Sequence, residues 1–294
     1  MRVVHVEAFR VRYNECDSYG HLNNSVYLQY MQEAAIGADN SAGFGREFYE
    51  TTNRIWIPRR TEIEYLHPLF PGEHVAVSTW NLSFRRVIGR RIYEFRREGE
   101  DDLVARAFTD WVFVDRMTFF PAKIPDEVAK VYNPEYPDIE PFPKNPFPKT
   151  PPLPAKVFHH RRRVDFRDID PMKHLNNAAY LTYAEECAMH LSDAYGWPLT
   201  KQLDDGIAFV ARKNQIVYKQ SALPDDELDI TTWLYDLKSA SGTRYFNFAR
   251  SDDGETLAEL HMLWVMLDIS SGKPRRLPSG MRDEIASNLA KTID

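Results

Sequence analysis

Residues 11–34 read VRYNECDSYGHLNNSVYLQYMQEA, and residues 167–187 read RDIDPMKHLNNAAYLTYAEEC. Both contain Asp-x-x-x-His-Leu-Asn-Asn, and a shift of 153 residues lays the second on the first without a gap. The shift pairs Asp17 with Asp170, His21 with His174, Asn23 with Asn176, Asn24 with Asn177, Tyr27 with Tyr180 and Glu33 with Glu186. It runs on through Arg59 and Arg212, Tyr65 and Tyr218, Trp80 and Trp233, Gly89 and Gly242, Trp111 and Trp264, and Asp115 and Asp268. Self-similarity of this extent means one structural unit used twice.

Outward from the motif, each copy reads in the same order. A strand precedes it (Val3 to Tyr13; Arg162 to Phe166) and a helix follows it. Val26, Tyr27, Tyr30, Met31, Ala34 and Ala38 recur at three- and four-residue spacing, as do Tyr180, Tyr183, Ala184, Cys187 and Leu191, so one face of each helix is buried. Asn23 or Asn24, and Asn176 or Asn177, suit the N-caps, and Gly43 and Gly196 fall near the helix ends. Runs such as RTEIEYL, HVAVSTWNL, GRRIYEFRRE and VARAFTDWVFVD are rich in β-branched and aromatic residues and read as strands separated by short turns. One helix followed by strands with hairpin-sized connections predicts an antiparallel sheet packed on that helix, an α+β arrangement. No Gly-x-Gly-x-x-Gly or Walker loop is present.

The stretch PAKIPDEVAKVYNPEYPDIEPFPKNPFPKTPPLPAK lies between the copies. Closely spaced prolines fix φ and remove backbone donors, so little regular structure is expected and the chain should run extended along the surface. The expected organisation is an N-terminal domain over residues 1–130, a linker over 131–156 and a C-terminal domain over 157–294.

Composition narrows the function. With 43% hydrophobic and 27% charged residues among 294, the chain is that of a soluble globular protein, and no apolar run reaches the ~20 residues that cross a bilayer. The start, MRVVHVEAFRVRY, alternates like a strand and does not read as an export signal. Cys16 and Cys187 occupy different places in the repeat, which suggests no disulfide and a reducing cytoplasm. A net charge of −6 argues against a general nucleic-acid binder. Arg85, Arg86, Arg90, Arg91, Arg96 and Arg97 crowd one segment, and Arg161, Arg162 and Arg163 another. Two readings fit them: a solvated strand face, or a docking patch for a phosphorylated carrier.

The first quoted segment resembles the strand, loop and helix of the 4-hydroxybenzoyl-CoA thioesterase family of hotdog enzymes. The second is similar to the signature of acyl-ACP thioesterases, which are tandem hotdogs. The resemblance implies two hotdog domains, each an antiparallel sheet wrapped around one long helix, packed as an intramolecular pseudo-dimer. It implies that Asp17 and Asp170, the second acids of a Glu-x-Asp and an Asp-x-Asp pair, are the catalytic carboxylates. Plant acyl-ACP thioesterases place Asn two residues after this Asp, where this chain has Tyr19 and Met172. The first copy, with Gly20 before its His, follows the bacterial pattern; the second has Pro171 and Lys173.

Thioester hydrolysis needs an activated water or a nucleophile, and donors for the carbonyl oxygen. No metal or cofactor is required. Asp17 and Asp170 can act as general base or as nucleophile, and with an ordinary pKa near ~3.9 a base would need its affinity for protons raised by burial. Helix N-terminal amides can polarise the carbonyl. His21 and His174 can hold the carboxylate or the substrate, and Asn23 and Asn176 the loop or a carbonyl, which completes the expected catalytic set. Asn24, Asn177, Tyr27 and Tyr180 are expected to contact substrate. Glu33 and Glu186 read as solvent or interface residues. Cys16 pairs with Ile169 and is set aside as a nucleophile, and His159, His160 and His174 lack the further ligands of a metal site. The four repeated tryptophans read as core.

The expected partner is an acyl-CoA or an acyl carrier protein, with no nucleic acid and no membrane insertion, in a chain that is a monomeric pseudo-dimer or a homo-oligomer. Two other functions suit such a fold. A hotdog hydratase or dehydratase carries Asp-x-Asn-Pro-x-His, with five residues' separation where this chain has four. A non-catalytic acyl-binding module would bind acyl-CoA and release no thiol.

Overall fold

The computed structural model describes residues 3–137 and 141–291. They divide into two compact units whose boundary falls between Pro146 and Phe147. The N-terminal unit contains β1 (His5–Arg10), α1 (Asn24–Ser41), α2 (Arg46–Thr52), β2 (Arg54–Tyr65), β3 (His74–Arg85), β4 (Ile88–Arg97), β5 (Leu103–Asp115) and α3 (Asp126–Tyr132). The C-terminal unit repeats them as β6 (Phe158–Arg163), α4 (Ala179–Ala194), α5 (Leu199–Asp204), β7 (Ile207–Tyr218), β8 (Glu227–Tyr235), β9 (Ser241–Arg250), β10 (Thr256–Asp268) and α6 (Ser279–Ile285).

Within the first unit the strands are antiparallel in the order β1-β3-β4-β5-β2, and within the second in the matching order β6-β8-β9-β10-β7. Along β3, every second residue from Val75 to Ser83 is buried, the alternation of a strand with one face on a core. The long helix α1 lies against β1 and β3, and α4 against β6 and β8. All six apolar positions expected on the inner face of α1 are buried, and all five on α4. Tyr27 meets Tyr65 edge-on at 5.1 Å and Phe95 at 5.4 Å; Tyr180 meets Tyr218 at 5.6 Å and Phe248 at 5.3 Å. The two cores are therefore built on one plan.

Several sequence expectations need correction. The strand before the second motif is Phe158–Arg163, and Phe166 falls in a short 3-10 turn beyond it. The proline-bearing stretch is not devoid of regular structure, because eight residues without proline separate Pro125 from Pro134 and accommodate α3. Asp126 and Glu127 in the first turn and Lys130 in the last suit the helix dipole, while Val128, Ala129 and Tyr132 pack against Phe113 and Ile124. Val131 and Tyr132, expected as the first linker residues, close this helix. Residues 138–140 of the expected linker lie outside the described residues.

The arginine segment departs most from expectation. Arg90 and Arg91 are neither a solvated face nor a docking patch: they are 4% and 5% exposed. Adjacent strand residues point to opposite faces, so each finds its own partners. Arg91 reaches Asp39 on α1 at 2.9 Å, and Asp39 also accepts the hydroxyls of Tyr49 at 2.7 Å and Tyr132 at 2.5 Å. Arg90 grips Asp110 with two bonds of 2.6 and 2.7 Å, donates to the Asn145 side chain at 2.6 Å and lies 3.9 Å from the Phe108 ring centroid. Arg96 pairs with Glu94, and Arg97 with Glu73 and Glu100; Arg85 and Arg86 are exposed. In the second group Arg162 pairs with Asp165 and Glu186 and lies 3.7 Å from the Tyr183 ring centroid, and Arg163 pairs with Asp225.

Candidate active site

Each motif forms a closed loop at the entrance to its long helix. An isolated β-bridge between Cys16 and Leu22 pinches the first loop, and one between Ile169 and Leu175 the second. Inside the first, the Asp17 amide donates to the His21 carbonyl at 2.8 Å, and one carboxylate oxygen, Oδ1, accepts the amides of Tyr19 at 2.9 Å and His21 at 3.1 Å. Asp170 repeats this, with its amide to the His174 carbonyl at 2.9 Å and Oδ1 accepting Met172 at 2.8 Å and His174 at 3.3 Å. Short polar side chains stabilise turns in this way. No hydrogen bond within the described residues involves Oδ2 of either aspartate.

The turn needs a left-handed residue just before the histidine. Gly20 supplies it at φ +80°, with nothing within 4 Å of where a Cβ would stand; in the second loop Lys173 takes φ 64°. Asp17, His21, Asp170 and His174 are all half-buried. The His21 ring meets Phe70 edge-on at 5.3 Å.

The asparagines of the expected catalytic set serve the backbone. Asn23 is the N-cap of α1, its Oδ1 accepting the Ser25 amide at 3.0 Å and the Ser25 hydroxyl at 2.7 Å. Asn176 accepts the Ala178 amide at 2.9 Å, one turn before α4 begins. The amides of Val26 and Ala179 donate to the carbonyls of these same asparagines, each at 3.0 Å. Two amides of each first turn are thus engaged, which narrows the supply of helix N-terminal donors expected for a substrate carbonyl.

Of the expected substrate contacts, Asn24 and Asn177 stand at the loop-to-helix junction and accept the hydroxyls of Tyr65 at 3.2 Å and Tyr218 at 3.1 Å through their carbonyls. Tyr27 and Tyr180 are only 2% exposed, and their hydroxyls act on the protein itself. Tyr180 accepts the Ala222 amide at 3.3 Å, and Tyr27 accepts the amide of Leu69, its counterpart. The Leu69 and Ala222 carbonyls in turn accept the loop amides of Leu22 at 2.8 Å and Leu175 at 2.9 Å. Burial raises both phenols above their ordinary range, so they stay protonated.

Sequence reading missed the work of the first acid in each pair. Glu15 accepts the Tyr30 hydroxyl at 2.7 Å, and Asp168 accepts the Tyr183 hydroxyl at 2.9 Å. Tyr30 and Tyr183 are also partners under the 153-residue shift, so the signal was present in the repeat. These bonds tie the short 3-10 turn before each loop to the second turn of its helix. Burial, then the charges of Asp17 and Glu15, push the Cys16 thiol up, opposite to the direction that makes a thiolate. Among the described residues no cluster of three or more His, Cys, Asp or Glu could hold a metal ion; His159 pairs with Asp229, and His160 stacks on His190 at 4.5 Å. No helix is long and apolar enough to cross a membrane among the described residues.

Two helix-and-sheet units with an acid-bearing loop at the helix entrance define a double hotdog of the thioesterase type. The chain belongs to the thioesterase-like superfamily, whose family model matches residues 11–131 and again residues 164–288. An acyl-[acyl-carrier-protein] hydrolase of chloroplasts from Cuphea viscosissima is 26% identical over 188 residues, 60% of this chain and 45% of that protein. A long-chain acyl-CoA thioesterase of Escherichia coli is 28% identical over 120 residues, 40% of this chain and 88% of that one. The chain thus spans about half the length of the plant relatives it matches. Its fold is that of a 12:0-ACP thioesterase from Umbellularia californica, with a TM-score of 0.72 at 18% identity over 92% of this chain and 94% of that one.

Proposed function

We propose that this protein hydrolyses an acyl thioester, on coenzyme A or an acyl carrier protein, to a free acid and a thiol, with Asp17 and Asp170 as the reacting carboxylates. The observation that carries this reading is the repeated aspartate, one oxygen held by two loop amides and the other without a hydrogen bond among the described residues, in a chain of the thioesterase-like superfamily. Fixing Oδ1 orients Oδ2 without immobilising it on a second donor, as a positioned base or nucleophile requires.

As base, the carboxylate takes a proton from water as the water oxygen bonds to the thioester carbon; the carbon–sulfur bond then breaks and the sulfur leaves with that proton. As nucleophile, it forms an anhydride with loss of the thiolate, and water then cleaves the anhydride. With two amides of each first helical turn engaged, the imidazoles of His21 and His174 and the positive end of each long helix carry the polarisation of the carbonyl. Free thiols at Cys16 and Cys187 suit a reducing compartment such as the cytoplasm.

The test is thiol release from a panel of acyl-CoA and acyl-ACP substrates. Asp17→Asn and Asp170→Asn each lower turnover in part, and the double variant lowers it by roughly 100-fold or more, since asparagine keeps the Oδ1 acceptor but supplies neither base nor nucleophile. A folded double variant with unchanged turnover overturns the assignment. Hydration of an enoyl-CoA without thiol release would replace it by the hydratase reading. Single turnover in labelled water separates the routes, because only the anhydride route leaves label in an aspartate.

A further inference from the structure

Arg91 on β4 and Arg244 on β9 occupy one position of the repeat, and both are buried, at 5% and 7% exposure. Arg91 sits in a polar cage: Asp39 at 2.9 Å, Tyr49 and Tyr132 donating to that same carboxylate, and Asn81 and Thr109 opposite it on the neighbouring strands. In the C-terminal unit every one of these positions changes. Ser192 stands for Asp39, Gln202 for Tyr49, Ile285 for Tyr132, Leu234 for Asn81 and Met262 for Thr109. Gln202 donates to the Trp197 carbonyl at 2.7 Å. The guanidinium remains, and its Nη1 is buried with no hydrogen-bond partner among the described residues.

A buried cation without a counter-charge is unfavourable, and a buried donor left unpaired adds to that. Burial depresses Arg244 to about 10, and the groups that act against it, Cys187 and Tyr195, include no carboxylate. The missing element is the carboxylate that Asp39 supplies in the other unit. Serine, glutamine and isoleucine are each smaller than the residue they stand for, and none of them carries a charge.

We propose that Arg244 anchors a binding site for an aliphatic carboxylate, whose carboxyl group takes the place that Asp39 holds beside Arg91. The surroundings select this class over a small inorganic anion. Leu234 and Met262 flank the arginine on β8 and β10, the buried Cys187 faces it from α4, and Ile285 replaces a tyrosine, so the site pairs one charge with apolar walls. Two sources provide such a ligand: a free fatty acid, or an acyl chain that ends in a second carboxyl group.

The test uses the full-length protein and octanoate as probe, with octanol and sulfate as controls, followed by thermal unfolding and calorimetric titration. Octanoate should raise Tm saturably, and octanol and sulfate should not. Arg244→Met should weaken octanoate binding at least tenfold. Ser192→Asp supplies the carboxylate from within; it should raise Tm without ligand and abolish the octanoate shift, and it carries the test if Arg244→Met does not fold. Equal binding of octanoate and octanol, sulfate binding as octanoate does, or unchanged octanoate binding in Ser192→Asp, overturns the proposal. A second arm, which rests on the thioesterase reading, separates the sources. A free acid would inhibit hydrolysis in the wild type and not in Ser192→Asp, whereas a terminal carboxylate would make the octanedioyl thioester a better substrate than the octanoyl one. Loss of all hydrolysis leaves the binding arm standing, so the two readings fail separately.

Discussion

The hydroxyl of Tyr30 lies 2.7 Å from the carboxylate of Glu15, and the bond joins the chain just ahead of the acid-bearing loop to the second turn of α1. Glu15 also accepts the Arg12 amide at 2.8 Å, so it fastens the short 3-10 turn before the loop as well. The first acid of the Glu-x-Asp pair is thereby a clamp.

Removing the clamp should loosen the loop without touching Asp17 or His21. Tyr30→Phe loses a hydrogen bond to a charged acceptor, worth about 1–2 kcal/mol in urea unfolding. Under the proposed function, hydrolysis falls in kcat more than KM changes, since the loss is one of orientation. The double variant with Tyr183→Phe, which breaks the 2.9 Å bond to Asp168, should be additive in stability. An unaltered unfolding midpoint in both variants would count against the clamp.

Lys173 holds φ 64° where the other loop has Gly20 at φ +80°. An L-residue in the left-handed region is strained by roughly 1 kcal/mol, so Lys173→Gly should stabilise the C-terminal unit by about that amount. Gly20→Ala should destabilise the N-terminal one similarly, although nothing lies within 4 Å of the added Cβ, because the penalty is in the backbone. Thermal melts of the two variants should shift in opposite directions; shifts of the same sign refute this reading.

The buried pair of Arg91 and Asp39 predicts an asymmetry. Asp39→Asn leaves a guanidinium at 5% exposure without its charge partner and should cost about 3–5 kcal/mol. Replacing the pair together, with Arg91→Met and Asp39→Leu, should cost much less, since both desolvation penalties vanish with the attraction. A double variant as unstable as Asp39→Asn would show that the cage matters for its shape and not its charge.

His261 gives a pH dependence. Burial lowers it to about 4; its Nδ1 lies 2.6 Å from the Tyr235 hydroxyl and its Nε2 has no hydrogen-bond partner among the described residues. The unfolded chain takes up this proton near pH ~6.5, before the folded one does, so stability contributed by the neutral ring is present above pH ~6.5 and declines as pH falls towards 4. His261→Phe, the residue found at the equivalent Phe108, should remove that slope. Urea unfolding of both proteins at pH 7 and pH 4.5 measures it, and parallel losses in the two would discount the histidine.

By itself the sequence determined the duplication, the burial face of each long helix and the pairing of Asp with His in both loops. These are legible because a 153-residue shift and a helical period are properties of residue order, and because a turn closed by Asp17 or Asp170 forms among residues only four apart. Tertiary structure decided the rest. Arg90 and Arg91 look like surface charge until Asp110, Asn145 and Asp39 arrive from distant segments to bury them. Asn23 and Tyr27 look available to a substrate until the helix draws one into its cap and the core takes the other. α3 was hidden among prolines because its stability comes from Phe113 and Ile124 and little from its own seven residues. The contrast between Arg91 and Arg244 appears only once both are seen to be buried, since the energy of a charge depends on what surrounds it, and sequence order does not carry that.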